Sequence, residues 1–476
     1  MSSKAYDAIM SRNSEILLKA TGIDYAKYSD GPLVLDYEAM MAATGYSDEA
    51  VESVQSEVSV GRTPMLELRN ISEFVRSAAP AGQGARIFLK DEAANPSGSF
   101  KDRRASISAH RAAAAGYAGL IAATSGNYGA AVASQAAIRG LRAIVIQEAF
   151  DSQWRGQPEI LEKTRKCEAL GAEVIQTTVG PELFYLLLST LEETGYFNAS
   201  LYTPFSVQGI QTLGREIVRD VRARTGKEPA AILATHAGGG MCTGIGRGMR
   251  AEGATDTELI AVSVNLQGLH MASDHDFNRK SFTTGHTGFS MPFTTWPDRS
   301  DVPRNAARPL RYLDRFVTVT QGAVFYATEL LAQLEGIERG PAGNTSLAAA
   351  LIIAQQLPAD ASIVVSETEY TGAGKTPWAQ LAFAEEMGVR VVTGKSDQEI
   401  PGQVIALPLA IDDIGVSEVD LRDLRMSYLR GSRRAVGREF TAGERAFLTE
   451  DGRISDGDWE AWERASRLGV SGGVGE

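Results

Sequence analysis

Short apolar runs alternate with longer helical patterns along most of this chain, and this alternation constrains the fold more than any other feature. The runs are continuous and rich in β-branched residues, as in IFLKDE at 87–92, LIAAT at 120–124 and IVVSET at 363–368. Strands that alternate with helices predict an α/β protein, and continuous apolar strands predict mostly parallel sheet buried on both faces. Further strands are predicted in the same way at 143–148, 173–177, 230–236, 259–264, 316–321 and 389–394.

The length and charge of the chain limit the possible functions. A chain of 476 residues requires two or three domains, and 59 acidic against 47 basic residues, a net charge of −12, disfavour nucleic acid as a partner. Two cysteines and five histidines offer little for disulfides or a metal site, so we expect no metal and a reducing, cytoplasmic location. No window is apolar enough for a signal peptide or a membrane span.

The motif SGSFKDR at 97–103 follows the first of these strands. Lys101 falls in the opening turn of the predicted helix, where the helix dipole disfavours an ammonium, so the pattern indicates a lysine with a lowered pKa. Such an amine is a usable nucleophile toward an aldehyde. The alternative is an ordinary solvent-exposed lysine, with Asp102 compensating the dipole.

A second predicted strand is followed by a predicted helix, and the motif TSGNYG at residues 124–129 joins them. Its glycines leave backbone N–H groups bare at a helix N-terminus, which suits a carboxylate or a phosphate. Ser125 and Asn127 are also good N-cap residues, so helix capping alone is the alternative explanation.

A third such junction is THAGGGMCTGIGRG at 235–248. Three consecutive glycines between a strand and a helix favour the binding of a phosphate by converging N–H groups. The dinucleotide fingerprint GxGxxG is absent, because Thr243 stands where its last glycine would be. GAGKT at 372–376 also fails as a P-loop, since the required first glycine is Glu369.

An irregular segment at 265–315 breaks the alternation, and irregular segments of this length inside enzymes are usually functional. Its arginines are interpreted either as gripping an anionic substrate or as facing another subunit. They are Arg299, Arg304, Arg308, Arg311 and Arg315. His270 and His275 lack metal-ligand spacing and are assigned a structural hydrogen-bonding role. Cys167 is interpreted as a packed core residue, and Cys242 as a small residue whose backbone N–H matters, with a thiol nucleophile at Cys242 as the alternative.

Taken in order, SGSFK, TSGNYG and a triple-glycine loop after a later strand resemble the pyridoxal-phosphate enzymes of fold type II, the tryptophan synthase β and threonine synthase family. The resemblance implies that Lys101 binds pyridoxal 5′-phosphate as a Schiff base and that Asn127 hydrogen-bonds its ring hydroxyl. The implied phosphate cradle is Gly238, Gly239, Gly240 and Met241, and the implied substrate-carboxylate site is the backbone of Ser125, Gly126 and Tyr128. Ser366, Glu367 and Thr368 compete to face the pyridine nitrogen, and Thr368 is favoured.

Segments within 61–376 are more specifically similar to the β-subunit family of 2-amino-4-oxopentanoate thiolases, from ornithine breakdown. They include GRTPMLELRN, FLKDEAANPSGSFK, LEETGYFNASLYTPF and ETEYTGAGK. This resemblance implies a small α subunit, a homodimeric core, and thiolysis by coenzyme A to acetyl-CoA and alanine. The chemistry of the cofactor suggests a ketimine, an enamine that acts as a β-carbanion equivalent, and Lys101 as the proton shuttle. Candidates for the oxyanion donor are His270, Ser273, Thr284 and His286.

Two other functions stay open. One is a fold type II lyase or β-replacement enzyme, similar to diaminopropionate ammonia-lyase or threonine synthase, in which the β-substituent leaves as an anion. The other is a non-catalytic regulatory subunit that retains the fold, although the presence of Lys101 and all three glycines argues against it.

The expected architecture is an α/β protein of fold type II with two lobes, each a mostly parallel sheet flanked by helices. Residues 1–60 form a helical N-terminal extension, and 61–110 with 206–395 form the larger, cofactor-binding domain. Residues 111–205 form a smaller mobile domain, whose closure would exclude water from the site. Residues 396–476 form a C-terminal segment of unknown role.

Overall fold

The computed structural model describes residues 3–124, 126–156, 158–180, 182–267, 279–284, 304–370 and 377–467. Its strands confirm all nine of the predicted ones and add short strands that the apolar pattern did not reveal. They are β1 (Ser29–Asp30), β2 (Val34–Leu35), β3 (Met65–Glu67), β4 (Arg86–Asp91), β5 (Gly119–Thr124), β6 (Arg142–Phe150), β7 (Glu173–Thr178), β8 (Phe197–Asn198), β9 (Ala231–Thr235), β10 (Glu258–Val264), β11 (Arg315–Val319), β12 (Ser362–Glu367), β13 (Arg390–Thr393), β14 (Val404–Leu407) and β15 (Val416–Glu418).

Helices separate these strands as the sequence predicts. They are α1 (Ser3–Met10), α2 (Asn13–Thr21), α3 (Tyr37–Ala42), α4 (Asp48–Glu57), α5 (Arg69–Ala78), α6 (Lys101–Ala114), α7 (Asn127–Ile138), α8 (Pro158–Ala169), α9 (Glu182–Thr194), α10 (Pro204–Thr225), α11 (Gly240–Ala251), α12 (Gln321–Glu335), α13 (Pro341–Ile353), α14 (Pro377–Glu386), α15 (Leu421–Val436), α16 (Ala442–Gly452) and α17 (Asp456–Arg467). The first predicted helix, at 2–20, is divided into α1 and α2 by a turn. Within the described ranges no helix is long and apolar enough to cross a membrane.

Two sheets carry the architecture. The larger sheet has the order β15-β11-β10-β9-β12-β4-β3, in which β11, β10, β9, β12 and β4 run parallel and the two edge strands run antiparallel. The smaller sheet, β7-β6-β5-β8, is entirely parallel. Because β4, β9 and β12 are neighbours and parallel, their carboxyl ends bring Lys101, the triple-glycine loop and residues 366–369 to one edge of the larger sheet.

Helices α6, α10 and α11 pack closely because glycines stand where they cross. A Cβ on Gly209 of α10 would overlap the carbonyl oxygen of Arg103 on α6, and a Cβ on Gly214 would overlap the carbonyl oxygen of Ile245 on α11. Without these side chains the backbones can approach one another, so the first turns of α6 and α11 are held at a fixed separation. Those two turns carry Lys101 and Gly240.

Replacement of Gly214 by alanine is therefore expected to lower the free energy of unfolding by about 1–3 kcal/mol, the usual cost of overpacking a core. The matched control is Gly443→Ala in α16, because its new Cβ would meet no atom within 4 Å. Urea denaturation of the two variants should show a lowered midpoint for the first and an unchanged or slightly raised one for the second. Equal midpoints would mean that α10 and α11 are not held as closely as described.

The C-terminal segment covers the larger lobe. Leu424, Leu429 and Leu448 belong to the same apolar core as Leu313. Asp451 of α16 accepts hydrogen bonds from the guanidinium groups of two arginines in the irregular segment and from one tyrosine. The pairs are Arg308 Nη1 to Oδ2 at 2.8 Å, Arg311 Nη1 to Oδ1 at 3.1 Å and Tyr428 Oη to Oδ2 at 2.5 Å.

These contacts correct the interpretation of the arginines at 265–315. Arg308 and Arg311 are paired with Asp451, and Arg315 is paired with Glu418 of β15. Arg304 donates its Nε to the Ser29 hydroxyl at 2.9 Å and binds two backbone carbonyls of the same loop. These four side chains therefore bind groups of this chain, which does not support the gripping of a substrate, whereas Arg299 lies outside the described residues.

Candidate active site

The loop before α6 is fixed by the end of β12. The amide of Phe100 donates to the carbonyl of Thr368 at 3.0 Å, and the amide of Tyr370 donates to the carbonyl of Gly98 at 2.8 Å. Asp102 closes the loop, since it accepts from the Ser97 amide at 2.8 Å and the Ser97 hydroxyl at 2.5 Å. Asp102 is buried and so does not act as a solvent-exposed partner of the helix dipole.

Arg103 fixes the position of α6. Its fully buried guanidinium binds Glu92 through Nε at 2.7 Å and Glu216 of α10 through Nη2 at 2.8 Å. Because Glu92 is fully buried with it and the Glu216 side chain is only 16% exposed, the charge of Arg103 is compensated and its role is structural.

Lys101 is the first residue of α6, as the sequence predicts. Burial is the main cause that lowers the pKa of its ammonium, to about 7, and the charges of Arg104 and Lys163 lower it further, while Glu369 opposes the shift. A neutral amine is therefore abundant at neutral pH. The alternative of an ordinary solvent-exposed lysine does not fit this environment.

The TSGNYG loop is built as a bare helix N-terminus. Gly126 occupies the N-cap of α7 with no side-chain capping bond, and its amide donates to Thr124 Oγ1 at 3.0 Å. Asn127 lies inside the first turn and not at the cap, so capping does not explain this residue. Tyr128 is fully buried, and burial raises the pKa of its phenol to about 12. Ser125 lies outside the described residues.

The triple-glycine loop leaves no room for side chains. Gly239 is the N-cap of α11 with φ of 81°, a left-handed conformation that favours glycine, and Gly240 is the first helical residue. A Cβ on Gly239 would lie 2.5 Å from Pro309, and Cβ atoms on Gly238 and Gly240 would overlap the Tyr202 hydroxyl and the Arg104 guanidinium. No side chain caps α11, so its first amides are available to an anion.

The three residues at the end of β12 that compete to face the pyridine nitrogen have different surroundings. Ser366 Oγ lies 3.7 Å from the sulfur of Met241, next to the triple-glycine loop. Glu367 contacts Gly343 of α13 and is fully buried, which raises the pKa of its carboxyl well above the usual range. Thr368 provides the carbonyl that binds the Phe100 amide, beside Lys101. Glu367 is thus directed to α13, and the choice of Thr368 stays a prediction.

Three charged side chains at this site were not predicted from the sequence, namely Arg104, Lys163 and Glu369. Lys163 of α8 binds Glu159 Oε1 at 2.6 Å and lies 3.9 Å from Glu369 Oε2, and all three side chains are buried. The Lys163 ammonium would lie 3.4 Å from a Cβ on Gly126, so a cation stands over the TSGNYG loop. In the sequence, Lys163 and Glu159 are four residues apart and resemble an ordinary ion pair on the surface of a helix. The spacing of Arg104, three residues after Lys101, is the one local feature that places a second cation near Lys101 on the same helix.

Several other candidates have no role that the structure links to this site. Thr284 donates its hydroxyl to Ser281 at 2.6 Å within its own turn, and His270, Ser273 and His286 lie outside the described residues. Cys167 and Cys242 are fully buried, and burial raises the pKa of both thiols to about 12, which confirms Cys167 as a packed residue and does not favour a thiol nucleophile at Cys242. No cluster of metal ligands is found among the described residues.

Comparison with known proteins shows the class of enzyme to which this chain belongs. Residues 57–369 match the family model described as "Pyridoxal-phosphate dependent enzyme". The crystal structure of a threonine deaminase from T.th. superposes with a TM-score of 0.51 at 26% identity, over 68% of this chain and 98% of that one. The donors also fit such a cofactor, since the site offers a buried amine with a lowered pKa and a glycine loop of free amides. The chain belongs to the pyridoxal-phosphate-dependent enzymes of fold type II and uses pyridoxal 5′-phosphate.

The family can be given more narrowly. A 2-amino-4-ketopentanoate thiolase beta subunit from an unknown prokaryotic organism is 60% identical over 448 residues, covering 94% of this chain and 95% of that one. A protein of the same description from Acetoanaerobium sticklandii is 58% identical, covering 90% of this chain and 91% of the other. The chain is therefore a member of the thiolase β-subunit family.

Proposed function

We propose that this chain is the catalytic subunit of a thiolase that cleaves 2-amino-4-oxopentanoate with coenzyme A to acetyl-CoA and alanine, in ornithine degradation. The observation that carries the proposal is 60% identity, over 94% of this chain, to a protein described as a 2-amino-4-ketopentanoate thiolase beta subunit. A small α subunit as partner, a homodimeric core and a cytoplasmic location belong to the same proposal.

Pyridoxal phosphate, when bound, supplies the electron sink that makes carbon–hydrogen bonds near the substrate amine acidic. Lys101 would hold its aldehyde carbon, Asn127 its ring hydroxyl, and Gly238, Gly239, Gly240 and Met241 its phosphate. Thr368 would face the ring nitrogen. The backbone of Ser125, Gly126 and Tyr128 would hold the substrate carboxylate, with the buried Lys163 ammonium above Gly126 adding charge.

Lys101 Nζ is the group that we assign to proton transfer. A pKa of about 7 allows the amine to accept a proton from the substrate α-carbon and to return protons to the β- and α-carbons at neutral pH. The Lys101 side chain is partly buried, so fewer water molecules compete for these protons than at an exposed lysine.

Two lysines of helix α8 contact the end of β12 and the loop before Lys101. Lys163 approaches Glu369 at the end of β12, and Lys166 donates to the Ser97 carbonyl in the loop before Lys101. We propose that residues 111–205 move as a smaller domain and that these lysines mark its closed position. Closure would then exclude water when the substrate carboxylate binds.

A variant that lacks the charge of Lys163 tests whether this residue helps to bind the substrate carboxylate. Lys163→Gln should raise the KM for the amino acid about 10-fold or more with a smaller change in kcat, because one charge-assisted contact to the carboxylate is lost. Arg165→Gln, an exposed cation on the same helix, is the control and should leave both constants unchanged. A fall in kcat with unchanged KM would place Lys163 elsewhere in the mechanism.

The assignment is tested by product analysis. Purified chain, with and without its α subunit, is incubated with 2-amino-4-oxopentanoate and coenzyme A, and acetyl-CoA and alanine are quantified. Equal amounts of the two products support the proposal. No acetyl-CoA from the complete complex, with ammonia or phosphate released from β-substituted amino acids, would replace it with a lyase or β-replacement function.

A further inference from the structure

Arg104 is a buried cation that has no anionic partner among the residues that the structure describes. It lies one turn after Lys101 on α6 and is 3% exposed. Its Nη1 donates to the carbonyl of Leu201 at 2.6 Å, and its buried Nε has no hydrogen-bond partner. In the part of the chain that the structure describes, no carboxylate forms an ion pair with it, whereas its neighbour Arg103 binds Glu92 and Glu216.

The guanidinium is directed at the triple-glycine loop. Nη2, Cζ and Nη1 of Arg104 are the three atoms nearest to where a Cβ on Gly240 would stand, with Cζ at 2.9 Å and Nη1 at 3.0 Å. Cζ also lies 5.9 Å from the ring centroid of Tyr202, whose hydroxyl fills the equivalent space at Gly238. Arg104 thus stands beside the first amides of α11, which no side chain caps.

The charge of Arg104 requires an anion. A guanidinium stays protonated in proteins, and its removal from water is costly unless a negative group compensates it. Burial lowers the pKa of the guanidinium, and the groups that oppose this shift are the phenols of Tyr202 and Tyr128, not a carboxylate. Two anions enter this site, the cofactor phosphate and the substrate carboxylate. Lys163 already stands over the TSGNYG loop, so the position of Arg104 at Gly240 matches the phosphate.

We propose that Arg104 is the counter-cation of the cofactor phosphate, a positioning residue that holds the dianion against the triple-glycine loop. The planar fork of arginine suits two phosphate oxygens at once. Arg104 therefore makes the site select the phosphorylated cofactor over unphosphorylated pyridoxal.

The test compares two ligands that differ only in the phosphate. Full-length chain freed of cofactor is titrated with pyridoxal phosphate and with pyridoxal, and binding is followed by the visible absorbance of the bound aldehyde. Arg104→Gln should raise the Kd for pyridoxal phosphate roughly 10- to 100-fold, as expected for one lost charge-assisted interaction, and leave that for pyridoxal within about twofold. Arg104→Lys should recover part of the loss because it keeps the charge.

Two results would overturn the proposal. An equal loss of affinity for both ligands would show that Arg104 only supports the fold. Unchanged affinity for pyridoxal phosphate with a raised KM for the amino acid would assign the residue to the substrate carboxylate. If Arg104→Gln does not fold, phosphorus NMR of the wild-type holoenzyme decides: the phosphate should stay dianionic well below its ordinary second pKa of about 6, and titration at that ordinary value would contradict the proposal.

Discussion

Replacement of Lys101 by alanine is expected to abolish both cofactor attachment and turnover. The variant lacks the amine that binds the cofactor aldehyde and moves protons on the substrate, so the rate should fall by roughly 10³-fold or more. The visible absorbance of the bound cofactor should also disappear from the purified protein. Both effects follow from one nitrogen atom, because no other lysine is found at the first turn of α6.

The matched control is Lys227→Ala, which removes an exposed lysine that pairs with Asp360. Its activity and absorbance should equal those of the wild type. If Lys101→Ala retained the absorbance band and a substantial rate, another amine would have to bind the cofactor. Lys163, the other lysine described at this site, would then be the first candidate.

We also expect an acylating reagent to modify Lys101 selectively at neutral pH. With a pKa of about 7, half of this amine is neutral at pH 7, whereas an ordinary lysine near 10.4 has a neutral fraction roughly a thousandfold smaller. Below pH 7 the amine is protonated and unreactive; above it, the neutral form predominates. Short exposure of the cofactor-free chain to an acylating reagent, analysed by peptide mass spectrometry, should therefore modify Lys101 first.

The labelling curve of Lys101 should have its midpoint near pH 7, since burial and the charges of Arg104 and Lys163 disfavour the ammonium. Exposed Lys19 and Lys227 in the same sample serve as internal controls and should be modified much more slowly than Lys101 at neutral pH. A midpoint for Lys101 near that of the controls would mean that the amine is solvated, and the proton-transfer role would lose its basis.

The fold could be read from the sequence because its strands are continuous and β-branched. β4, β9 and β12 are buried on both faces, and no other local structure explains apolar runs of this length between helical patterns. Strands such as β8 and β15 were not predicted, since two or three residues carry no period. The order of strands in the sheet is also not encoded locally, although it decides which loops meet.

The site was only partly predictable for the same reason. The motifs around Lys101, Asn127 and Gly239 are local, and each follows a strand end, so their convergence could be expected. Burial of Lys163 and Glu369 depends on how α8 packs against the end of β12, which residue spacing does not reveal. The pairing of Arg308 and Arg311 with Asp451 and of Arg315 with Glu418 was not predicted, because these partners lie more than a hundred positions away.

The central claim is that this chain moves protons at both the α-carbon and the β-carbon of the amino acid, and exchange of alanine protons tests it most directly. Each enantiomer of alanine is incubated with the holoenzyme in heavy water, and both carbons are followed by NMR. We predict deuterium in the methyl group as well as at the α-carbon, with both signals lost in Lys101→Ala. Exchange confined to the α-carbon would contradict the thiolase assignment and favour a lyase.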